Sequence, residues 1–408
     1  MNWTKHPRDY FETSVRYGMT SLRVVPRVRS PVSHPRDVGT HCGSACGCRQ
    51  TWQVPGRANR ALLATSIGHV LPHVARTAKA LGLSVCSMPH LVDVVDEQAG
   101  GRGLERLFQK LARELTAAET DAVRVCTDPP HDGAALTARL LTAPTLAVEL
   151  ARRGVTVEVG VLAEAEFWSV YQPIVSLADR SVVAHEALLR GLVDGREVGG
   201  GDLFFVAESA GWLDRLDRIG RESAITGAMP WLGRDDLFVN SDPRSIYRPQ
   251  VCLAGTEQVV HDMGIDPHQL VFEVVEAHVV ADRGHLVSVL EHYRSLGWRV
   301  ALDDVGAGWS SLSLLATVRP DVVKLDRGLV QHLPDDGART VLRAVTDLAH
   351  RLGAVVVAEG VETEQLADEV TALGADLGQG WLFGRPVRPE PPVAEAGAGW
   401  QAVEVRRR

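Results

Sequence analysis

The chain has 408 residues, of which 45% are hydrophobic and 23% charged, and this balance excludes a disordered or fibrous protein. Its formal net charge of −8 excludes a binding mode driven mainly by attraction to nucleic-acid phosphates. Six cysteines are too few for a disulfide-stabilised scaffold in a chain of this length. Because the sequence shows neither a signal-peptide pattern nor an apolar run of roughly 20 residues, we expect a cytoplasmic protein without a transmembrane segment.

Residues 1–60 form a basic segment, with ten Lys and Arg against three Asp and Glu. The segment is rich in Arg, Pro, Ser and Gly and has little periodicity, which predicts a mobile leader. Cys42, Cys46 and Cys48 lie within it, at a spacing that fits neither the usual zinc-knuckle nor the ferredoxin pattern. Nonspecific thiols are the simpler interpretation, and a metal or redox site completed by another cysteine or a histidine is the alternative.

Helical and strand-like patterns alternate over residues 61–162 and predict a small N-terminal α/β domain, which we expect to be sensory. The expected helices are Ala61–Leu81, Leu104–Leu115 and Ala134–Arg153, and the expected strands are Ser84–Met88, Ala122–Cys126 and Val155–Val161.

The same alternation continues over residues 163–392 and predicts a larger C-terminal domain, followed by a tail over 393–408. The strand candidates are near-continuous apolar runs, as expected of strands that are covered on both faces. Alternation over this length favours a TIM-like (β/α) barrel over an open α/β sheet. The strand candidates are Tyr171–Val175, Ser181–Glu186, Leu237–Asn240, Leu270–Val274, Arg299–Leu302, Val322–Leu325 and Ala354–Ala358.

Polar side chains end six consecutive strand candidates of this domain. Since the carboxyl ends of barrel strands converge on one mouth, we expect these side chains to meet there. A single acid after a strand is usually a helix cap or a turn residue, but six polar ends in order favour a site. Clustered carboxylates need cations, and oxygen ligands suit Mg²⁺ or Mn²⁺, so the residues alone predict a metal-assisted phosphoesterase. The residues are Glu186, Asn240, Glu273, Asp303 with Asp304, Lys324 and Glu359.

The motifs around these residues resemble, in order, those of the EAL-domain family, the cyclic di-GMP phosphodiesterases. Each motif is weak alone, but eight in this order over about residues 165–390 are highly specific. They are Tyr-Gln-Pro-Ile-Val (171–175), Glu-Ala-Leu (186–188), Phe-Val-Asn (238–240), Phe-Glu-Val-Val-Glu (272–276), Leu-Asp-Asp-Val-Gly (302–306), Val-Lys-Leu-Asp (323–326), Ala-Glu-Gly-Val-Glu (358–362) and Gln-Gly-Trp-Leu-Phe-Gly-Arg-Pro (379–386).

The resemblance implies hydrolysis of cyclic di-GMP to linear pGpG, assisted by two divalent cations, Mg²⁺ or Mn²⁺. It implies that one cation is held by Glu186, Asn240, Glu273 and Asp303. Asp303 would also reach the second cation, together with Asp304 and Glu359.

The resemblance further implies which residues act on the substrate. The implied catalytic residues are Glu186, Lys324 and Glu359, with Glu359 as general base and Lys324 orienting water or offsetting transition-state charge. The dinucleotide would contact Gln172, Arg190 and Gln379.

A regulatory loop linked to a homodimer interface of the barrel is also implied. The chain departs from the family there, because Val305 replaces the usual Phe and Val275 the usual Thr. Loss of a buried ring removes apolar contact worth about 1–2 kcal/mol, so either loop order is weakened or a neighbour such as Trp309 compensates. The implied loop residues are Glu276, Val305, Gly306 and Ser310.

Two alternatives to hydrolysis are a receptor function and a cyclase function. A catalytically silent cyclic di-GMP receptor that signals through partners is the alternative, but the chain keeps every implied metal ligand and the lysine. The glycine-rich run at 199–204 resembles a diguanylate cyclase signature. It begins thirteen residues after Glu186 and lacks a preceding α/β scaffold of its own, so we exclude a cyclase.

Overall fold

The computed structural model describes residues 47–49, 52–98, 100–275, 283–306, 311–333 and 335–389. Most of the predicted leader, including Cys42 and Cys46, and the predicted tail at 393–408 lie outside the described residues. Two sheets organise the described part of the chain, and each sheet packs against a core of its own. Among the described helices, none is both long and apolar enough to cross a membrane.

The first sheet has four strands, all antiparallel to their neighbours, in the spatial order second, third, first, fourth. Two helices, α1 (Val70–Ala80) and α2 (Arg102–Glu114), pack against each other and bury their apolar faces on this sheet. The order βαββαβ with this strand arrangement is that of a ferredoxin-like α/β unit. The strands are β1 (Arg60–Ala64), β2 (Ser84–Met88), β3 (Leu91–Val95) and β4 (Arg124–Thr127).

Three element predictions for this region were wrong. The expected helix Ala61–Leu81 is strand β1 followed by α1, because a short apolar run such as Leu62–Leu63 suits a buried strand as well as a helix. The expected strand Val155–Val161 is a series of turns that leads into a short helix. The expected helix at 134–153 is two helices interrupted near Pro144, a residue that lacks the backbone N–H a helix needs. The helices of this region after α2 are α3 (Ala117–Ala122), α4 (Gly133–Leu141), α5 (Leu146–Arg152) and α6 (Gly160–Ala163).

The second sheet closes into a barrel of eight strands, which confirms the expected TIM-like α/β fold. Its first strand, β5, is antiparallel to both of its neighbours, and the other neighbouring strands of the closed barrel run parallel. Strand β7 extends the second barrel strand, β6, as a hairpin and is not part of the closed ring. The strands are β5 (Glu166–Ser176), β6 (Val182–Val193), β7 (Arg196–Gly199), β8 (Asp236–Asn240), β9 (Leu270–Val275), β10 (Arg299–Val305), β11 (Val322–Leu325), β12 (Val355–Ala358) and β13 (Leu377–Gln379).

The helices of this region surround the barrel, and the outward side chains of the strands pack under many of them in one large apolar cluster. Phe272 of β9, for example, stacks on Tyr293 and Trp298 with ring centroids 4.7 and 4.5 Å apart. The helices are α7 (Gly200–Ser209), α8 (Leu213–Ala228), α9 (Pro249–Cys252), α10 (Ala254–Met263), α11 (Arg283–Ser295), α12 (Ser311–Val318), α13 (Arg327–Gln331), α14 (Asp336–Arg351) and α15 (Glu364–Ala372).

A separate apolar cluster fills the inside of the barrel, and we call it the apolar floor. Each strand of the closed barrel contributes one side chain, so the barrel is a packed core and not an open pore. Most of these residues are small or β-branched, which suits a layer where eight side chains meet. The apolar floor consists of Ile174, Ala184, Phe238, Val271, Ala301, Val322, Val357 and the partly buried Leu377.

Phe238 is the largest side chain of the apolar floor and is 1% exposed. We expect Phe238→Ala to lower the free energy of unfolding by about 3–5 kcal/mol, because the ring leaves a cavity that its neighbours cannot fill. Thermal unfolding followed by circular dichroism measures the effect. Phe205→Ala is the matched control, since Phe205 is 64% exposed and its loss should change stability little. Equal unfolding midpoints for the two variants would contradict the assignment of Phe238 to the barrel interior.

Candidate functional site

A second layer inside the barrel, directly above the apolar floor, is made of polar side chains, and we call it the polar layer. Side chains along a strand point alternately to the two faces, so residues two positions apart share the interior face. On β9, for example, Val271 belongs to the apolar floor and Glu273 to the polar layer. Every strand of the closed barrel follows this rule. The polar layer consists of Gln172, Glu186, Asn240, Glu273, Asp303, Lys324, Glu359 and Gln379.

Lys324 of β11 is the centre of the polar layer and is fully buried. Its Nζ lies 2.6 Å from Oε1 of Glu273 and 2.6 Å from Oε1 of Glu359. Oδ1 of Asp303 is 3.3 Å away and Oε2 of Glu186 is 3.6 Å away. Four carboxylates from four different strands or strand ends therefore surround one ammonium group.

This arrangement shifts the pKa values of the groups involved. Burial opposes the charge on Lys324, but the surrounding carboxylates outweigh it and raise the pKa of Lys324 well above its usual range. Burial and the charge of Glu186 raise the pKa of Glu273 well above its usual range. Burial also acts on Glu186, but the nearby charge of Lys324 prevails and lowers its pKa. The layer therefore has the protonated Lys324 at its centre, and the surrounding carboxylates share this single positive charge.

Three amide side chains of the polar layer form hydrogen bonds that hold Glu186 and one another. Nε2 of Gln379 donates to Oε2 of Glu186 at 2.6 Å and approaches Oε1 of Gln172 at 3.3 Å. Nδ2 of Asn240 donates to Oε1 of Glu186 at 3.2 Å. Nε2 of Gln172 donates to the carbonyl oxygen of Gly384 at 3.1 Å. Both oxygens of Glu186 are therefore held in place, which gives this carboxylate a defined orientation.

Asp304 joins the layer through an irregularity of β10. On a regular strand the side chains of Asp303 and Asp304 would point to opposite faces. Asp304 has a φ of +56°, and the pairing of β10 with β11 shifts register between Leu302 and Val305. Carboxylate oxygens of Asp303, Asp304 and Glu359 consequently lie within 4.8 Å of one another.

The donor set of this group fits a divalent cation. Burial is the main cause that raises the pKa of Glu359 to about 8 and that of Asp304 to about 6, so the positive charge of Lys324 does not fully compensate these carboxylates. Within the described residues, Oε2 of Glu273 and Oε1 of Gln379 are buried without a hydrogen-bond partner. Buried oxygens in this state are the ligands that a hard cation such as Mg²⁺ or Mn²⁺ satisfies.

The structure therefore brings together nearly all of the residues that the sequence predicted for the site. Glu186 and Gln172 lie in the middle of their strands, not at the ends, because β5 and β6 form a long hairpin that rises beyond the layer. Arg190 lies four residues beyond Glu186 on the same face of β6, with its Nε 3.4 Å from Oε1 of Glu197.

The predicted regulatory loop is described only in part, since Glu276 and Ser310 lie outside the described residues. Val305 is fully buried, and the backbone N–H of Asp326 donates to its carbonyl oxygen at 3.2 Å. Gly306 has a φ of +109°, which favours glycine at this position. The homodimer expected from the resemblance, and the effect of Val305 on the loop, stay predictions.

Comparisons with known proteins agree with this architecture. A cyclic di-GMP phosphodiesterase of Escherichia coli, PdeF, is 28% identical over 233 residues, which cover 55% of this chain and 30% of PdeF. An uncharacterized signaling protein of Caulobacter vibrioides is 33% identical over 230 residues, which cover 55% of this chain and 28% of that protein. The chain thus spans less than a third of the length of these curated relatives.

The fold and the family follow from two further comparisons. The structure of a standalone EAL protein of Vibrio cholerae in its c-di-GMP-bound form superimposes with a TM-score of 0.50 and 30% identity, and the match covers 55% of this chain and 93% of that one. The family model of the EAL domain matches residues 158–386, a region that contains the whole polar layer. Because this match extends over more than half of the sequence, the chain belongs to the EAL domain family.

Proposed function

We propose that this chain hydrolyses cyclic di-GMP to linear pGpG at the polar layer of its barrel. The observation that carries the proposal is the buried Lys324 surrounded by four carboxylates at the mouth of an EAL barrel. The named activity of PdeF and the ligand in the Vibrio cholerae structure support the same substrate.

We propose that the oxygen ligands of the layer hold two divalent cations, Mg²⁺ or Mn²⁺. Glu186, Asn240, Glu273 and Asp303 would hold one cation, and Asp303 with Asp304 and Glu359 would hold the other. Once bound, the cations would supply Lewis-acid chemistry, polarising the phosphodiester and lowering the pKa of water.

The chain's own residues then stabilise charge, accept a proton and bind the substrate. The ammonium of Lys324 offsets negative charge that develops on the phosphodiester, and its burial preserves the strength of that interaction. Glu359 accepts a proton from the attacking water, and Glu186 is held in position by its two amide donors. Gln172, Gln379 and Arg190 bind the dinucleotide, with the planar guanidinium of Arg190 suited to a phosphate.

We further propose that residues 61–162 form a domain that regulates the barrel of residues 163–392. Nε of Arg152, at the end of α5, donates to the carbonyl oxygen of Ala210 at 2.8 Å, directly after α7. The same guanidinium lies 5.6 Å from the ring centroid of Trp212. Trp52 packs on Trp212 with ring centroids 5.4 Å apart, and Arg215 lies 4.5 Å over the Trp52 ring.

These contacts connect residues 61–162 to the side of the barrel where the substrate is proposed to bind. Helix α7 begins directly after strand β7, and β7 carries the Glu197 that pairs with Arg190. A shift of α5 would therefore move α7 and the adjoining strand β7. This movement would displace Glu197, the side chain that pairs with Arg190.

Loss of one metal-ligating carboxylate should abolish hydrolysis. We expect Glu186→Gln to lower the rate of cyclic di-GMP hydrolysis by at least about 100-fold, because an amide replaces a charged ligand at unchanged size. Chromatographic detection of pGpG in the presence of Mn²⁺ measures the rate. Glu364→Gln is the control, since Glu364 is 75% exposed on the surface.

Two outcomes of this experiment would change the proposal. Tight binding of cyclic di-GMP without turnover by the parent protein would make the chain a receptor, not an enzyme. Full activity of Glu186→Gln would show that hydrolysis takes place elsewhere than in the polar layer.

Removal of the central cation should destabilise the barrel. We expect Lys324→Met to lower the free energy of unfolding by about 3–5 kcal/mol, because four buried carboxylates lose their counter-charge. Added Mn²⁺ should raise the unfolding temperature of this variant more than that of the parent, since the metal restores positive charge to the layer. Calorimetry with Mn²⁺ and with a chelator measures both effects. Unfolding temperatures of both proteins that do not change between Mn²⁺ and the chelator would contradict the proposed metal site.

Loss of the contact between α5 and α7 should weaken substrate binding. We expect Arg152→Ala to raise the KM for cyclic di-GMP by about 5-fold or more, a coupling of the size common between linked sites. Steady-state kinetics at saturating Mn²⁺ measures it. Leu141→Ala is the control, because Leu141 is 81% exposed in the same region. Identical kinetics of the two variants would contradict a regulatory role for this contact.

A further inference from the structure

Two opposite charges are buried together on helix α8, outside the barrel. Asp217 is 1% exposed and Arg221, one turn later on the helix, is 2% exposed. Nη1 of Arg221 donates to Oδ2 of Asp217. A buried ion pair of this kind adds little net stability compared with apolar side chains of the same size, since both charges lose their hydration. The further hydrogen bonds of the pair are therefore more informative than its contribution to stability.

Asp217 holds the turn that follows strand β8. Its Oδ1 accepts from the backbone N–H of Asp242 at 2.9 Å, and its Oδ2 accepts from the hydroxyl of Ser245. Asp242 and Ser245 are each 6% exposed, so the turn is shielded from water. A buried backbone N–H needs a partner within the protein, and here a side chain of α8 supplies it. Nε of Arg221 donates to the hydroxyl of Thr256 on α10 at 3.3 Å, which connects the pair to a second helix.

This turn begins directly after Asn240, the residue of β8 that belongs to the polar layer. The backbone N–H of Ser241 donates to the carbonyl oxygen of Glu273 on β9 at 3.0 Å. The two residues that follow Asn240 are thus bonded through their backbone N–H groups, Ser241 to the sheet and Asp242 to Asp217. Because this backbone cannot rotate freely, the direction of the Asn240 side chain is fixed.

The amide of Asn240 depends on its placement more than the carboxylates around it do. Its Nδ2 donates to Oε1 of Glu186 at 3.2 Å and to the carbonyl oxygen of Ala187 at 3.4 Å, so Oδ1 is the atom that can bind a cation. An amide oxygen is neutral and attracts a cation only through its dipole, whereas a carboxylate attracts it through a full charge and over a longer range. A small displacement of Asn240 would therefore weaken its bond to a cation.

We propose that Asp217 is a positioning residue that fixes Asn240 as a cation ligand, and that Arg221 supports Asp217 in this role. Asp217 acts through the backbone of the turn and not through contact with the cation or the substrate. The inference rests on the proposed function, since that function assigns Asn240 to one of the two cations. It adds a side chain of α8, outside the barrel, to the groups that determine the affinity for metal.

Mn²⁺ binding in the absence of substrate, measured by isothermal titration calorimetry, tests the role of Asp217. Asp217→Leu combined with Arg221→Met replaces the ion pair by apolar side chains of similar size, so we expect this double variant to fold with little loss of stability. The double variant lacks the acceptor for the backbone N–H of Asp242. We expect its affinity for one of the two Mn²⁺ ions to fall by about 10- to 100-fold, the usual effect of losing a group that orients a metal ligand.

Asp217→Asn separates positioning from stability. The introduced amide oxygen still accepts from the backbone N–H of Asp242, but the charge of Arg221 loses its partner. We therefore expect lower thermal stability, measured by circular dichroism, together with a Mn²⁺ affinity within about threefold of that of the parent. A residue that served stability alone would give the opposite order, with the less stable variant binding Mn²⁺ less tightly.

Glu222→Gln is the matched control for these variants. Glu222 pairs with Arg218 at 2.7 Å on the same helix and at the same spacing, but this pair faces Gly255 of α10. Loss of the pair should leave the affinity for both Mn²⁺ ions unchanged.

The outcomes distinguish this inference from the function on which it rests. If the parent binds Mn²⁺ and the double variant binds it with parental affinity, the positioning role is overturned and the proposed function stands. The same conclusion follows if Asp217→Asn weakens Mn²⁺ binding by about 10-fold or more, and this criterion applies even if the double variant does not fold. If the parent binds no Mn²⁺, the proposed metal site and the positioning role both fail.

Discussion

The burial of one ammonium group among four carboxylates is the constraint on which the rest of this structure depends. Neither Lys324 nor Glu273 has measurable exposure, and either charge alone inside the barrel would be strongly unfavourable. Together they compensate each other, but the carboxylates outnumber the lysine and leave the layer short of positive charge. This deficit suits the mouth of the barrel to cations, because the oxygens that Lys324 does not compensate are hard ligands.

The position of each of these groups follows from the two-residue period of a strand. On every strand of the closed barrel, the residue of the apolar floor and the residue of the polar layer lie two positions apart. The packing that fixes Val271 therefore also orients Glu273, and the packing of Val322 also orients Lys324. Asp304 is the exception, since it reaches the site through a left-handed backbone conformation. Rigid packing therefore positions the site, and a local departure from regular strand geometry completes it.

The sequence predicted the barrel and most of its site because both depend on local signals. Asn240 is the last residue of β8, and Glu359 directly follows β12. The ordered motifs identified the family. It did not predict that Glu186 lies mid-strand, because the length of the β5–β6 hairpin depends on pairing between distant residues. The apolar run at 61–64 predicts a helix but forms strand β1, because short buried segments lack a periodicity that distinguishes helix from strand.

The reversed direction of β5 has a consequence for how such proteins are assembled from modules. In a barrel of parallel strands, a domain fused ahead of the first strand joins at the face opposite the active site. Here β5 is antiparallel to both neighbours and begins on the side of the polar layer, so the preceding chain enters at the rim of that mouth. Exchanging the upstream module would thus place each new module beside the mouth of the barrel that holds the polar layer. The topology of one strand therefore decides at which face of the barrel the amino-terminal junction lies.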